Sequence, residues 1–263
     1  GTHPNTYAER AVKDGITAGR SMVHQIKIFN DENYEEHLRI PHGHIHRSLL
    51  KDLALGNKNV FARKDNVTVK PVMVDLSLDA SGSMSGEKWY QTMKLAVAFA
   101  YAADKLNRFN VRVSLRNDSW GGKGSEIHVA IVYDSRVDRF RKVMSLFKYL
   151  SPDNGTPEGV AFEAMENLLF EESRDETERR YFINFSDGSP DGGERGAEYT
   201  KAVMNELRKR GVTILSYFIE EGSRNTRNEL FDLMYGKSAA YVNTASTSAV
   251  AKAFNKMFVA RDN

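Results

Sequence analysis

The sequence predicts an α/β fold: a doubly wound, mostly parallel sheet with one antiparallel edge strand, preceded by an N-terminal extension. Three observations carry this. From Val69 onward, short apolar runs alternate with amphipathic helical stretches, the pattern of a sheet covered on both faces. One pair of runs is joined by Asp118 to Gly124, a link too short for a crossover helix, so these two strands pair antiparallel. Three loops rich in Ser, Thr, Asp and Gly follow the order strand, loop, helix, and open α/β sheets place ligands at such strand ends.

Taken in order, residues 1–67 read as a partly helical extension and residues 68–263 as the main domain. The extension has weak periodicity, with helices over Ile16 to Phe29 and Ile45 to Leu55. The main domain opens with a strand over residues 69–78. Glu87 to Asn107 is a long helix, because Trp89, Met93, Ala96, Val97, Ala100 and Tyr101 recur at three- and four-residue steps. Val111 to Arg116 and Glu126 to Tyr133 are the hairpin strands. Helices over Val137 to Leu150 and Pro157 to Phe170 follow, then a strand over Tyr181 to Phe185. Glu194 to Arg210 is a helix that Gly211 closes. Val212 to Ile219 is a strand, Asn225 to Tyr235 a helix, Ala240 to Asn243 a short strand and Ser246 to Val259 the last helix.

Composition narrows the function. The chain has 263 residues, 41% of them hydrophobic, enough for one large domain with an extension. A net charge of +2 argues against a general polyanion binder. Arg208, Lys209 and Arg210 end a helix, where cations complement its dipole, so no nucleic-acid patch is expected there. With no cysteine, disulfides and thiolate metal sites are excluded, which fits a reducing compartment. No stretch reaches the roughly 20 apolar residues of a membrane span. Gly1-Thr2-His3-Pro4 opens no signal-peptide pattern and carries no Met, which leaves room for a longer natural N-terminus. The expectation is a cytoplasmic protein.

Six of the seven histidines precede residue 50, and the first 70 residues hold eleven Lys and Arg against eight Asp and Glu. His42, His44 and His46 alternate and, in a strand, would share one face suited to Zn²⁺. Pro41 and Gly43 argue instead for a loop that meets solvent or an acidic partner. Trp120, amid glycines near the hairpin tip, is either a contact residue or tucked in.

The chemistry concentrates in three segments. Asp79-Ala80-Ser81-Gly82-Ser83 follows an apolar strand; a carboxylate and two hydroxyls at alternate positions there can turn toward one point. Such hard oxygen donors suit Mg²⁺ or Mn²⁺. Asp153-Asn154-Gly155-Thr156-Pro157 is a turn leading into a helix, in which Thr156 is an N-cap or a further ligand. Phe185-Ser186-Asp187-Gly188 again ends a strand at a carboxylate; Asp191 beyond it either assists Asp187 or terminates the turn.

Together, D-x-S-x-S-M, G-T before a helix and S-D-G after a later strand resemble the metal-ion-dependent adhesion site of von Willebrand factor type A (vWA) domains, over about residues 68 to 260. The resemblance implies a vWA, Rossmann-like fold and a metal held directly by Ser81 and Ser83. It implies Asp79 acting mostly through water, Thr156 as a direct ligand in a high-affinity state, and Asp187 as a water-mediated or alternative one. Arg47 to Asp52, Val60 to Lys64, the Asp79 to Met84 run and Phe185 to Pro190 are also similar to the C-terminal region of cobalt-chelatase large subunits and related proteins. Those proteins work with AAA+ ATPases of the chelatase or MoxR class.

A cation held by hydroxyls and few direct carboxylates keeps net positive charge and an open position, so it binds an external Glu or Asp. The expected function is a metal-dependent protein-binding module serving an AAA+ ATPase. The partner should dock over Gly82, Thr156 and Gly188. The alternatives are a chelatase subunit inserting Co or Mg into a tetrapyrrole, and a secreted or surface adhesion module. No enzyme activity is expected: G-x-S-x-G and the phosphate-loop pattern are absent, and no histidine lies near the three loops in sequence.

Overall fold

The computed structural model describes residues 3–31, 34–66, 71–121, 124–171, 178–188, 190–220 and 228–243. The helix expected over Ser246 to Val259 lies outside the described residues. The chain divides into two compact units, residues 1–23 with 70–263, and residues 24–69. Residues 1–67, expected as an extension, are thus shared between the two.

Helix α1 (Thr6–Asp31) contributes to both units and begins ten residues before Ile16. Its start is set by Asn5, whose side-chain oxygen accepts from the Tyr7 and Ala8 amides at 3.0 and 3.1 Å. The smaller unit is an antiparallel sheet of β1 (Tyr34–Ile40), β2 (His44–Ile45) and β3 (Phe61–Asn66), with β3 central. The helix expected over Ile45 to Leu55 is here a two-residue strand, a 3₁₀ turn and the short helix α2 (Leu50–Ala54). Pairing of His44 and Ile45 with Ala62 and Phe61 removes them from any helix.

The larger unit holds β4 (Val72–Asp79), α3 (Glu87–Lys105), β5 (Phe109–Gly121), β6 (Gly124–Asp134), α4 (Arg141–Leu146), α5 (Glu158–Glu171), β7 (Arg179–Ser186), α6 (Gly193–Lys209), β8 (Thr213–Glu220), α7 (Glu229–Tyr235) and β9 (Ala239–Asn243). The sheet order is β6-β5-β4-β7-β8-β9, parallel throughout except for β5 with β6. This is the doubly wound fold with one antiparallel edge strand. The hairpin strands are longer than expected: Asp118 to Gly121 belongs to β5, and Trp120 pairs with Ser125. The helix expected over Val137 to Leu150 is α only from Arg141 to Leu146. Before it, the Asp134 carbonyl accepts from the Val137 and Asp138 amides and holds those residues in a turn.

Strand β4 is buried along its whole length, so its two faces meet two layers. Val74, Leu76 and Leu78 point one way; Asp75, Ser77 and Asp79 point the other. The second face belongs to the side packed by α5, α6 and α7, where Phe162, Met204, Leu207 and Phe231 are fully buried and Phe162 meets Phe182 edge-on at 5.1 Å. On α3, nearly every residue from Trp89 to Ala102 is buried. The first part of α1 lies on α3 at very close range. A Cβ on Gly15 would fall 2.6 Å from that of Val97, and one on Gly19 would fall 2.8 Å from that of Tyr101, so only glycine fits at either position.

The chain runs from β4 outward to β5 and β6, then returns to β7 on the other side of β4 and continues outward. The direction of winding therefore switches between β4 and β7. Their carboxyl ends, Asp79 and Ser186, flank the crevice where such sheets take ligands.

Candidate metal centre

Three loops build this crevice, and hydrogen bonds tie them to one another. After β4, Ala80 donates its amide to the Arg116 carbonyl of β5, while its own carbonyl accepts from Asp153 at 2.6 Å. The Gly82 amide donates to the Asn154 carbonyl at 2.9 Å, and the Asp191 amide to the Thr156 carbonyl at 3.1 Å. Gly155 donates to Asp118 at 2.6 Å, and any Cβ there would fall 2.7 Å from that carboxylate, so the loop needs glycine at this point.

Asp79, Ser81, Ser83 and Asp187 form one connected cluster. Asp79 Oδ1 accepts the Ser81 amide at 2.9 Å, and its Oδ2 accepts the Ser186 hydroxyl at 2.9 Å. Ser81 Oγ and Ser83 Oγ are 3.0 Å apart, and Ser83 Oγ donates to Asp187 Oδ1 at 2.7 Å. Thr156 is buried, with its hydroxyl facing Gly188, where a Cβ would meet it at 3.5 Å. The structure thus gathers Asp79, Ser81, Ser83 and Asp187 through side-chain bonds and brings Thr156 to the same mouth through Gly188 and Asp191. Asp191 serves the turn by its backbone; burial and the nearby Asp118 raise its carboxyl above the usual range.

The spacings fit a small hard cation. Neighbouring ligands on an octahedral ion with bonds of 2.0–2.1 Å stand about 2.9 Å apart. The Ser81–Ser83 and Ser83–Asp187 separations, 3.0 and 2.7 Å, match that edge. Among the described residues, no three His, Asp or Glu side chains gather as a metal-holding group, so hydroxyls must supply much of any donor set. Ser83 and Gly82 are exposed, which leaves the mouth open to an outside ligand.

Beneath this lies a buried ionic layer that the sequence did not reveal. Arg116, fully buried, donates to Glu158 at 2.8 Å and to Ser77 at 3.1 Å, and stands 3.7 Å from Asp79 Oδ2. Asn184 bridges Glu158 and the Tyr235 hydroxyl at 3.3 and 2.8 Å. Burial raises the carboxyls of both Asp79 and Glu158, with Arg116 opposing it in each case. Arg116 thus offsets part of the cost of burying these two carboxyls, which stay raised above their usual range. Lys88 was also missed. Its ammonium donates to the Ser83 carbonyl at 3.0 Å and pairs closely with Asp187. Its signal in the sequence was its place: a cation in the first turn of a helix opposes the dipole and needs a nearby anion.

The remaining sequence candidates fall elsewhere. His42 and His44 are exposed, His46 bonds Ser48 at 2.7 Å, and His44 starts β2. Arg208 donates to the Tyr235 carbonyl and the Ser238 hydroxyl, joining the end of α6 to the end of α7, and Arg210 pairs with Glu166.

Comparison with known proteins agrees with this architecture. The von Willebrand factor type A domain model matches residues 76–258. The open form of the pilus adhesin SpaC from Lactobacillus rhamnosus GG shares the fold with a TM-score of 0.51 at 14% identity, over 73% of this chain and 30% of that one. Manganese-loaded TRAP protein of Plasmodium vivax gives 0.49 at 20% identity, over 74% and 75% of the two chains. Proximal thread matrix protein 1 of the mussel byssus, in its form with a zinc-occupied MIDAS motif, gives 0.47 at 16%, over 73% and 46%. No curated protein matches the sequence. The family match covers well over half the chain, and the switch-point crevice carries the hydroxyl and carboxylate loops. The chain belongs to the von Willebrand factor type A domain family, a family of metal-dependent adhesion and protein-interaction modules.

Proposed function

We propose that this chain captures an acidic side chain of a partner protein through a divalent ion, Mg²⁺ or Mn²⁺, held by Ser81, Ser83, Thr156, Asp79 and Asp187, and that the partner is an AAA+ ATPase of the MoxR or chelatase class. One observation carries the first half. Both oxygens of Asp79 are engaged by protein donors, so the groups left facing the mouth are chiefly neutral hydroxyls. When bound, the ion supplies an under-neutralised positive centre that attracts a carboxylate from outside. The protein's part is to orient the hydroxyls, place the Arg116 guanidinium 3.7 Å from Asp79 Oδ2 and leave Ser83 and Gly82 exposed. The second half rests on the similarity to chelatase large subunits in the Asp79 to Met84 and Phe185 to Pro190 segments. Capture by this means needs no turnover, and intrinsic ATPase or peptidase activity is not expected.

The test is affinity purification from the source cells on the immobilised chain, in Mg²⁺ and in EDTA, with Thr156→Ala as a second arm. The expected result is an AAA+ subunit retained in Mg²⁺ and lost in both other arms. Retention unchanged by EDTA and by Thr156→Ala would show that the metal centre is not the docking surface. Recovery of tetrapyrrole-synthesis subunits would favour the chelatase reading, and of matrix or surface proteins the adhesion reading.

A further inference from the structure

We infer that Lys88 is a built-in cation of the metal centre, one that occupies Asp187 and sets how tightly a divalent ion is held. The inference rests on the metal-centre reading above.

The geometry is specific. Lys88 is the second residue of α3, where the positive end of the helix dipole disfavours an ammonium. It is nevertheless held there, its side chain only 18% exposed. Two acceptors explain its position: the Ser83 carbonyl at 3.0 Å and Asp187 Oδ2. The Asp187 side chain, 1% exposed, is engaged from both sides, by Lys88 at Oδ2 and by the Ser83 hydroxyl at Oδ1. Asp79 is likewise engaged from both sides, by the Ser81 amide and the Ser186 hydroxyl. Both carboxylates of the centre are therefore satisfied by protein donors, and one of those donors is a full positive charge.

The two charges cannot be combined freely. An ammonium on Asp187 Oδ2 repels a second cation a few ångströms away and takes up part of the charge that carboxylate could offer through Oδ1, which faces Ser83. Lys88 has a flexible four-carbon stem and can swing toward the open mouth. An acidic side chain arriving from outside offers it a new partner there. Lys88 thus opposes ion binding in the chain alone and favours it when a carboxylate is present.

Calorimetric titration with Mn²⁺ alone, at fixed pH, tests this on the full chain and its Lys88→Met, Lys88→Gln and Asp79→Ala variants. Met keeps the length of the stem without the charge, and Gln keeps its polarity, so a folding defect in one does not remove the test. Both Lys88 variants should bind Mn²⁺ about ten- to hundredfold more tightly than the native chain, the range expected when a charge-assisted bond no longer has to be broken. Thermal unfolding in EDTA should show a lower midpoint for Lys88→Met than for the native chain, and Mn²⁺ should raise the variant's midpoint by more. Mn²⁺ binding by Lys88→Met but not by the native chain would support the inference in its strongest form. Equal or weaker binding by both Lys88 variants, with Asp79→Ala still abolishing it, would overturn the role of Lys88 and leave the metal centre standing. Unchanged binding by Asp79→Ala, or none by any chain, would overturn both.

Discussion

Strands β4 and β5 carry the same ion pair twice. In their register Asp75 faces Arg112 and Asp79 faces Arg116, four residues further along the same face. All four side chains are buried, and the two pairs differ only in depth along the sheet. Asp79, at the carboxyl end, has both oxygens bonded, and Arg116 reaches on to Glu158 and Ser77. Asp75, further in, stands 3.6 Å from Arg112, its Oδ1 accepts no hydrogen bond, and Arg112 is shared with Asp134. Burial raises the Asp75 carboxyl to about 6. Identical residue types thus leave a carboxylate with both oxygens bonded in one place and one with an unbonded oxygen in the other, although Arg116 Nε and Glu158 Oε2 beneath the site also lack partners among the described residues. What separates them is the switch point, where loops deliver the Ser81 amide and the Ser186 hydroxyl to Asp79.

The sharpest challenge to that contrast is to remove each arginine. Arg116→Met leaves Asp79 and Glu158 buried side by side and should cost about 3–5 kcal/mol in urea unfolding, since breaking a buried pair strands a charge. Arg112→Met should cost less, about 1–2 kcal/mol, because Asp134 keeps Arg136 at 3.0 Å and Asp75 can take up a proton. Equal losses would break the comparison.

Next in size is Asp79→Asn. The Ser81 amide keeps an acceptor, but the Ser186 hydroxyl loses its anionic one, and Mn²⁺ affinity measured by calorimetry should fall about 10–100-fold. Asp75→Asn should leave Mn²⁺ binding unchanged.

The third prediction concerns pH. The folded value of Asp75 lies above its unfolded value of 3.8. Between these values the folded chain holds a proton that the unfolded chain has lost, so stability from this residue is greatest near pH 4 and declines as pH rises through about 6. Asp75→Asn should remove that decline and stabilise the protein at pH 7 by about 1–2 kcal/mol. Urea unfolding of both chains at pH 4, 5, 6 and 7 measures the difference; a variant less stable at pH 7 with the slope unaltered would show that Asp75 is well satisfied.

The smallest effect belongs to Arg208→Ala, which unlinks α6 from the Tyr235 carbonyl and should cost about 1 kcal/mol. Its Mn²⁺ affinity should match that of the native chain.

The three loops were legible because their residue types are unusual: hydroxyls and carboxylates crowded behind apolar strands announce themselves without tertiary information. The layer beneath them was not. Arg116 reads in sequence as the polar end of a hairpin strand, and only register with β4 shows that it lies under Asp79. Glu158 reads as an ordinary first-turn acid favoured by the helix dipole, yet it is buried against Arg116. Strand order and alternation came through because apolar periodicity reports burial directly. Helix limits came through less well where a local bond intervened, as with Asn5 ahead of α1 and the Asp134 turn ahead of α4.

The family match begins at residue 76, but the fold does not. Gly15 and Gly19 bring the backbone of α1 down onto Val97 and Tyr101, Arg10 lies over the Tyr90 ring at 3.8 Å, and Tyr90 donates to Asp14 at 2.7 Å. A chain trimmed to the sheet alone would keep every residue of the crevice and still lay bare the greasy back of α3, the helix whose first turn carries Lys88. Such a fragment would tend to self-associate, and its behaviour toward metal would be that of a clumped particle. The working boundary of this module therefore lies ahead of Thr6, some seventy residues before the first strand of its larger sheet.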